Sequence, residues 1–164
     1  MEISLEKSVG GNSQEKKIDS IFDYIQSVTN NNFDRNNAYR IGKELEVFTK
    51  ESYVDFLVEL WSKSVEDSKK SIIENEAKIN ELKEDFVKGP VKVQQAKDGL
   101  KMHIDMGATH WFDMDTKLIN DLEGWYSEDA ILDRISKQQE YTKRYEENIK
   151  ILEERLEKIE EIKK

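Results

Sequence analysis

Two stretches of the chain place residues of one stripe alternately four and three positions apart, and that repeat constrains the fold more than any other feature. The first runs Val54, Val58, Trp61, Val65, Ser68, Ile72, Asn75, Ile79, Leu82, Phe86; the second runs Ile131, Ile135, Gln138, Thr142, Tyr145, Ile149, Leu152, Leu156, Ile159. A seven-residue repeat holds one narrow stripe toward a partner helix, so each stretch belongs in a coiled coil. Thr49 is a candidate cap for a first long helix of about 50–87, which Gly89-Pro90 should end because proline lacks an amide hydrogen. Ser127-Glu128-Asp129 reads as the start of a second, about 128–163, with acids at the positive end of the helix dipole. Nearly equal lengths suggest that the two fold back on each other.

With Phe86 beside Ile131, antiparallel pairing brings Asn75 to Thr142 in the seam. A polar pair there costs stability and disfavours other registers, so Asn75 and Thr142 are candidate register residues. The competing reading is a loosely packed, partly wet seam at that level.

Between the helices the period changes. Val91 and Val93 alternate with polar residues, Asp98-Gly99 intervenes, and Leu100, Met102, Ile104 and Met106 alternate again. Asp-Gly suits a tight hairpin turn and period two suits a strand with one buried face, so a β-hairpin is expected. Gly107 permits a second reversal into a third strand over Thr109–Met114, giving a β insert at about 91–115. A short helix from Thr116 to Glu123, stopped by Gly124, leads to Trp125-Tyr126.

Ahead of the coiled coil, residues 1–12 show no periodicity and are expected to be flexible. Residues 13–48 read as two short helices. Ser13 would cap the first, with Ile18, Ile21, Phe22, Ile25 and Val28 on one face. Asn30-Asn31-Asn32 would break it, and Ala38, Ile41, Leu45 and Phe48 would line the second. The fold class is therefore mainly α: a long antiparallel coiled-coil hairpin, 50–164, with a three-strand insert at its tip and two short N-terminal helices.

Composition narrows the function. Of 164 residues 37% are charged, with 26 basic and 35 acidic side chains and a net charge of −9. Binding to phosphate backbones or anionic lipid relies on Lys/Arg excess, so neither direct nucleic-acid binding nor membrane binding is expected. There is no cysteine, which removes thiol catalysis and thiolate metal sites, and no long apolar run. A cytoplasmic protein is expected. His103, Asp105, His110 and Asp113, with Asp115 nearby, are residue types that bind divalent ions. In a regular strand, however, His110 and Asp113 face apart, which favours a solvated hairpin edge over a metal site. No phosphate loop, nucleophile turn or His-Glu-x-x-His spacing occurs, so neither an enzyme nor a cofactor is expected. Tryptophan is enriched at binding hot spots, and Trp111, Phe112, Trp125 and Tyr126 are the candidate partner-binding residues.

The segment Leu100-Lys-Met-His-Ile-Asp-Met-Gly-Ala-Thr-His-Trp-Phe-Asp-Met-Asp115, set between two long helices, resembles the α-type subunits of the prefoldin family. The resemblance covers the stretch from Leu82 to Leu156. It implies a co-chaperone subunit that joins sister subunits through β-strands and holds unfolded clients at the free helix ends. Val91, Val93, Leu100, Met102, Ile104, Phe112 and Met114 would then build the platform, and Val54, Val58, Leu156, Ile159 and Ile162 would touch clients. The alternative is a small acidic inhibitor from a phage or mobile element that blocks a host nucleic-acid-processing or defence complex. Both readings expect a protein partner (client, sister subunit or host complex), and the first expects an oligomer.

Overall fold

The computed structural model describes the backbone of residues 2–29, 39–40 and 42–164, and the side chains of 13–29, 39–40 and 42–164. Four α-helices dominate: α1 (Glu2–Thr29), α2 (Lys50–Asp105), α3 (Phe112–Trp125) and α4 (Glu128–Lys163), with a 3₁₀ turn at Thr109–Trp111. The chain is mainly helical, and α2 packs with α4 as a helical hairpin. No described helix is long and apolar enough to cross a membrane. The chain divides into two compact units, residues 1–68 with 148–164 and residues 69–147, and α2 and α4 run through both.

The first unit holds the larger core. Ile21 and Ile25 of α1 are buried with Tyr53, Val54, Leu57, Trp61 and Val65 of α2 and Leu152 and Ile159 of α4. The apolar face expected on residues 18–28 is thus the one α1 buries. The helix nevertheless begins at Glu2, so residues 2–12 are helical and Ser13 is no cap. The expected break at Asn30–Asn32, and Ala38 and Ile41 of the second short helix, lie outside the described residues. Residues 42–44 are helical and Leu45 is 70% exposed. Thr49 does cap α2: its Oγ1 accepts the Ser52 amide at 3.1 Å, and Ser52 Oγ accepts the Thr49 amide at 2.9 Å. Two orphan amides are satisfied reciprocally. Arg155 of α4 lies 5.4 Å over the Trp61 ring and donates to Val28 O at 3.1 Å, joining the C-terminal carbonyls of α1 to the core. Asn148 Nδ2 donates to Ser68 Oγ at 3.2 Å, so a polar pair does cross this part of the seam.

In the second unit the β insert is not found. Residues 91–105 continue α2, residues 112–125 form α3, and there is no strand among the described residues. Two causes can be named. The stripe that ends at Phe86 in the sequence reading goes on through Gly89, Val93, Ala96, Leu100 and His103, and all five are buried or half-buried. Gly89 is also no stop: a Cβ built on it would stand 2.6 Å from Tyr126 Cβ, so the glycine lets the returning chain approach the helix backbone. Pro90 sits inside the helix, where its fixed φ is helical and its cost is the bond Phe86 O would otherwise accept. The reversal at Gly107 is real but ends a helix. Gly107 has φ +67°, its amide donates to Ile104 O at 3.0 Å, and the Ala108 amide donates to His103 O at 2.9 Å. That pair of bonds is the Schellman arrangement.

The short helix expected at 116–123 is longer, and Gly124 does not stop it. Ser127 then caps α4 as expected, its Oγ accepting the Ala130 amide at 3.2 Å. Asp85 and Arg134 lie 3.9 Å apart, and the pairs Asp85–Arg134 and Gly89–Tyr126 fall within two residues of the register that sets Phe86 beside Ile131. Asn75 and Thr142 do not bond each other. Asn75 Nδ2 is buried without a hydrogen-bond partner, and Thr142 Oγ1 donates to Gln138 O one turn back in its own helix at 3.2 Å.

Candidate functional site: the outer stripe of α3

Helix α3 carries two apolar stripes side by side. One, at three-and-four spacing, turns toward α2: Phe112, Asp115, Ile119, Leu122 and Tyr126 are all buried or half-buried. The other, at spacing three, four and seven, faces outward: Trp111 is 41% exposed, Met114 63%, Leu118 50% and Trp125 58%. Residues so spaced share one helix face. Single exposed apolar residues need no explanation, whereas a row of four with two tryptophans marks a surface available to a partner. Met102, Ile104 and Met106, at the end of α2, are also exposed.

The inner stripe holds the outer one in place. His103 Nδ1 and Asp115 Oδ2 meet at 2.6 Å, and the imidazole stacks on Trp111 with centroids 6.0 Å apart and planes 22° apart. At the other end Arg134 lies 4.2 Å over the Trp125 ring. Trp111 thus meets two imidazoles, His103 and, at 5.1 Å, His110, and Trp125 meets a guanidinium, while both side chains stay substantially exposed. Lys92 donates to Tyr126 Oη at 2.9 Å and lies 5.3 Å from its ring, and Lys97 pairs with Glu123 at 3.1 Å. These contacts tie α2 to α3 through side chains that each keep a charge near water.

Of the four residues expected to bind a partner, Trp111 and Trp125 are exposed on the outer stripe, while Phe112 and Tyr126 turn inward. Met114 and Leu118 belong with the tryptophans; their shared spacing is legible only once residues 112–125 are read as helix. Of the residues with metal-binding chemistry, His103 meets Asp115, and no group of three His, Asp or Glu able to hold an ion occurs among the described residues. Val54 and Ile159, expected at an open end, are 4% and 0% exposed in the core of the first unit, with Val58, Leu156 and Ile162 packed against that core. The surface on which clients were expected is covered by α1.

Charge surrounds the outer stripe. Residues 98–129 carry eight carboxylates against two lysines. Asp115 and Glu123 are engaged with His103 and Lys97, whereas Asp105, Asp113 and Asp121 form no ion pair with a described residue. No family model, curated protein or solved structure matches the chain.

Proposed function

We propose that this is a non-enzymatic protein that works by docking another polypeptide on the outer stripe of α3. The observation that carries the reading is the row Trp111, Met114, Leu118 and Trp125, exposed on one helix face and braced from behind by His103 and Arg134. Rigid, half-supported aromatics give up little conformational entropy on binding, which is why such residues dominate binding energy at interfaces. The exposed thioethers of Met102, Met106 and Met114 favour the co-chaperone form of this reading, since methionine adapts to partners of varied shape. In that form clients meet the second unit and not the helix ends, whose apolar residues α1 already covers. The alternative, an acidic inhibitor that occupies a basic groove of a host complex, is supported by the carboxylate excess around the stripe.

The test is capture from a lysate of the source cell by immobilised full-length protein. Wild type and a Phe56→Glu/Leu60→Glu control, altered on an exposed apolar pair of the first unit, should capture the same proteins, and Met114→Glu/Leu118→Glu should lose them. Identical capture by all three would remove the stripe from the function. Suppressed aggregation of an unfolded client, lost in the same variant, separates the co-chaperone form from the inhibitor. Light scattering adds the oligomeric state, which the co-chaperone form expects to be above one.

A further inference from the structure

We infer that the occupant of the outer α3 stripe is a basic amphipathic helix of a partner protein. This rests on the docking reading above and adds the chemistry of what docks. Over residues 111–125 the row advances by about 21 Å, close to four helical turns, so it matches the repeat of an incoming helix and not the two-residue period of a strand. The row is Trp111, Met114, Leu118, Asp121, Trp125: a carboxylate stands at the one position where the apolar spacing would continue. The Asp121 side chain forms no ion pair with a described residue, and opposite an apolar partner its charge would be desolvated without compensation. A lysine or arginine at the facing position satisfies it and sets the register of the incoming helix.

The surroundings favour the same sign. Over residues 98–129 eight carboxylates stand against Lys101 and Lys117; Lys117 lies four residues from both Asp113 and Asp121 but pairs with neither among the described residues, and Glu128 and Asp129 follow at the start of α4. A second copy of this chain would bring the same negative charge to the interface and gain nothing from it. An acidic helix would be repelled. The basic apolar helix is the occupant that uses both the stripe and its rim.

Two synthetic eighteen-residue helices with the same leucine face, one with lysine and one with glutamate on the polar face, test this against the full-length protein by tryptophan fluorescence. The Leu/Lys peptide should bind and shift the emission of Trp111 and Trp125 to shorter wavelength. Leu118→Gln should weaken it about tenfold, equivalent to about 1.4 kcal/mol, and Asp121→Asn should weaken it several-fold and flatten its salt dependence. Met114→Gln serves in place of Leu118→Gln if circular dichroism shows that variant to be unfolded. Equal binding of the two peptides, or better binding of Leu/Glu, lost in Leu118→Gln, overturns the basic occupant while the docking reading stands. Binding of Leu/Lys that neither Leu118→Gln nor Asp121→Asn changes overturns both readings, because the peptide then sits elsewhere. Binding of neither peptide overturns the basic occupant, as does a dimer that Leu118→Gln dissociates, which would make a second copy the occupant.

Discussion

Gly89, Gly99 and Gly107 lie within nineteen residues of one another and meet three different environments. At Gly89 the root of the Tyr126 side chain stands where a Cβ would go. Alanine would gain about 0.8–1 kcal/mol in helix propensity, and the overpacking it forces costs about 1–3 kcal/mol. The contact is with Tyr126 Cβ and not the end of a flexible side chain, so the loss should win. Gly89→Ala is therefore expected to lower the urea midpoint, and a raised midpoint would mean that the chains do not approach there. Gly107 has open space around it but a left-handed φ of +67°, and alanine in that conformation costs about 1–2 kcal/mol. Gly99 has open space and sits mid-helix. Gly99→Ala should stabilise by about 0.5–1 kcal/mol, whereas in an Asp-Gly hairpin turn the same change would destabilise. One substitution thus decides between helix and hairpin at the residue where the sequence argues most plainly for the hairpin.

Among the elements, α2 shows what was legible and why the rest was not. The repeat from Val54 to Phe86 and its counterpart in α4 are carried by large apolar side chains, and the helices and their return follow from them. Beyond Phe86 three of the five stripe positions, Gly89, Ala96 and His103, are small or polar, while Val91 and, in period two, Met102, Ile104 and Met106 are large and exposed. Only Val93 and Leu100 of the large apolar side chains in this stretch lie on the half-buried face, so a pattern read from size mixes two faces and follows the wrong one. Pro90 points the same wrong way, because its missing hydrogen bond is a cost that the packing on either side of it offsets. In α1 the buried face was legible, since Ile21 and Ile25 are large and regularly spaced; Leu57→Ala, in the core they share, should cost about 2–5 kcal/mol in chemical unfolding. α1 is also joined to α2 by Lys50, whose ammonium donates to Asp19 at 2.8 Å and is held above the usual lysine range mainly by that hydrogen bond. A raised lysine contributes fully below its unfolded value and loses the contribution as pH rises through the folded one. Stability measured past about pH 10.5 should fall along a step that Asp19→Asn removes. Both side chains are about half exposed, so salt should shrink the step.

Across the whole molecule, the buried residues lie on the inner faces of α2, α3 and α4, and the outer face of α3 is the one proposed for docking. The net charge of −9 favours a cationic over an anionic peptide, so raising ionic strength should weaken binding of the Leu/Lys peptide. The tryptophans of the outer stripe were legible as candidates because their residue type is. Met114 and Leu118 were not, since their alignment with Trp111 and Trp125 exists only on a helix. If this row docks polypeptide, a probe within it must sense the ligand. Met114 reports on it directly, because the chain has only four methionines and one of them lies in the row. With ¹³C-methyl-labelled methionine, titrating the Leu/Lys peptide should move the Met114 resonance in a saturable way in the wild type and much less in Leu118→Gln. A Met114 resonance that stays in place at peptide concentrations saturating the fluorescence change would mean that the row is not the docking surface.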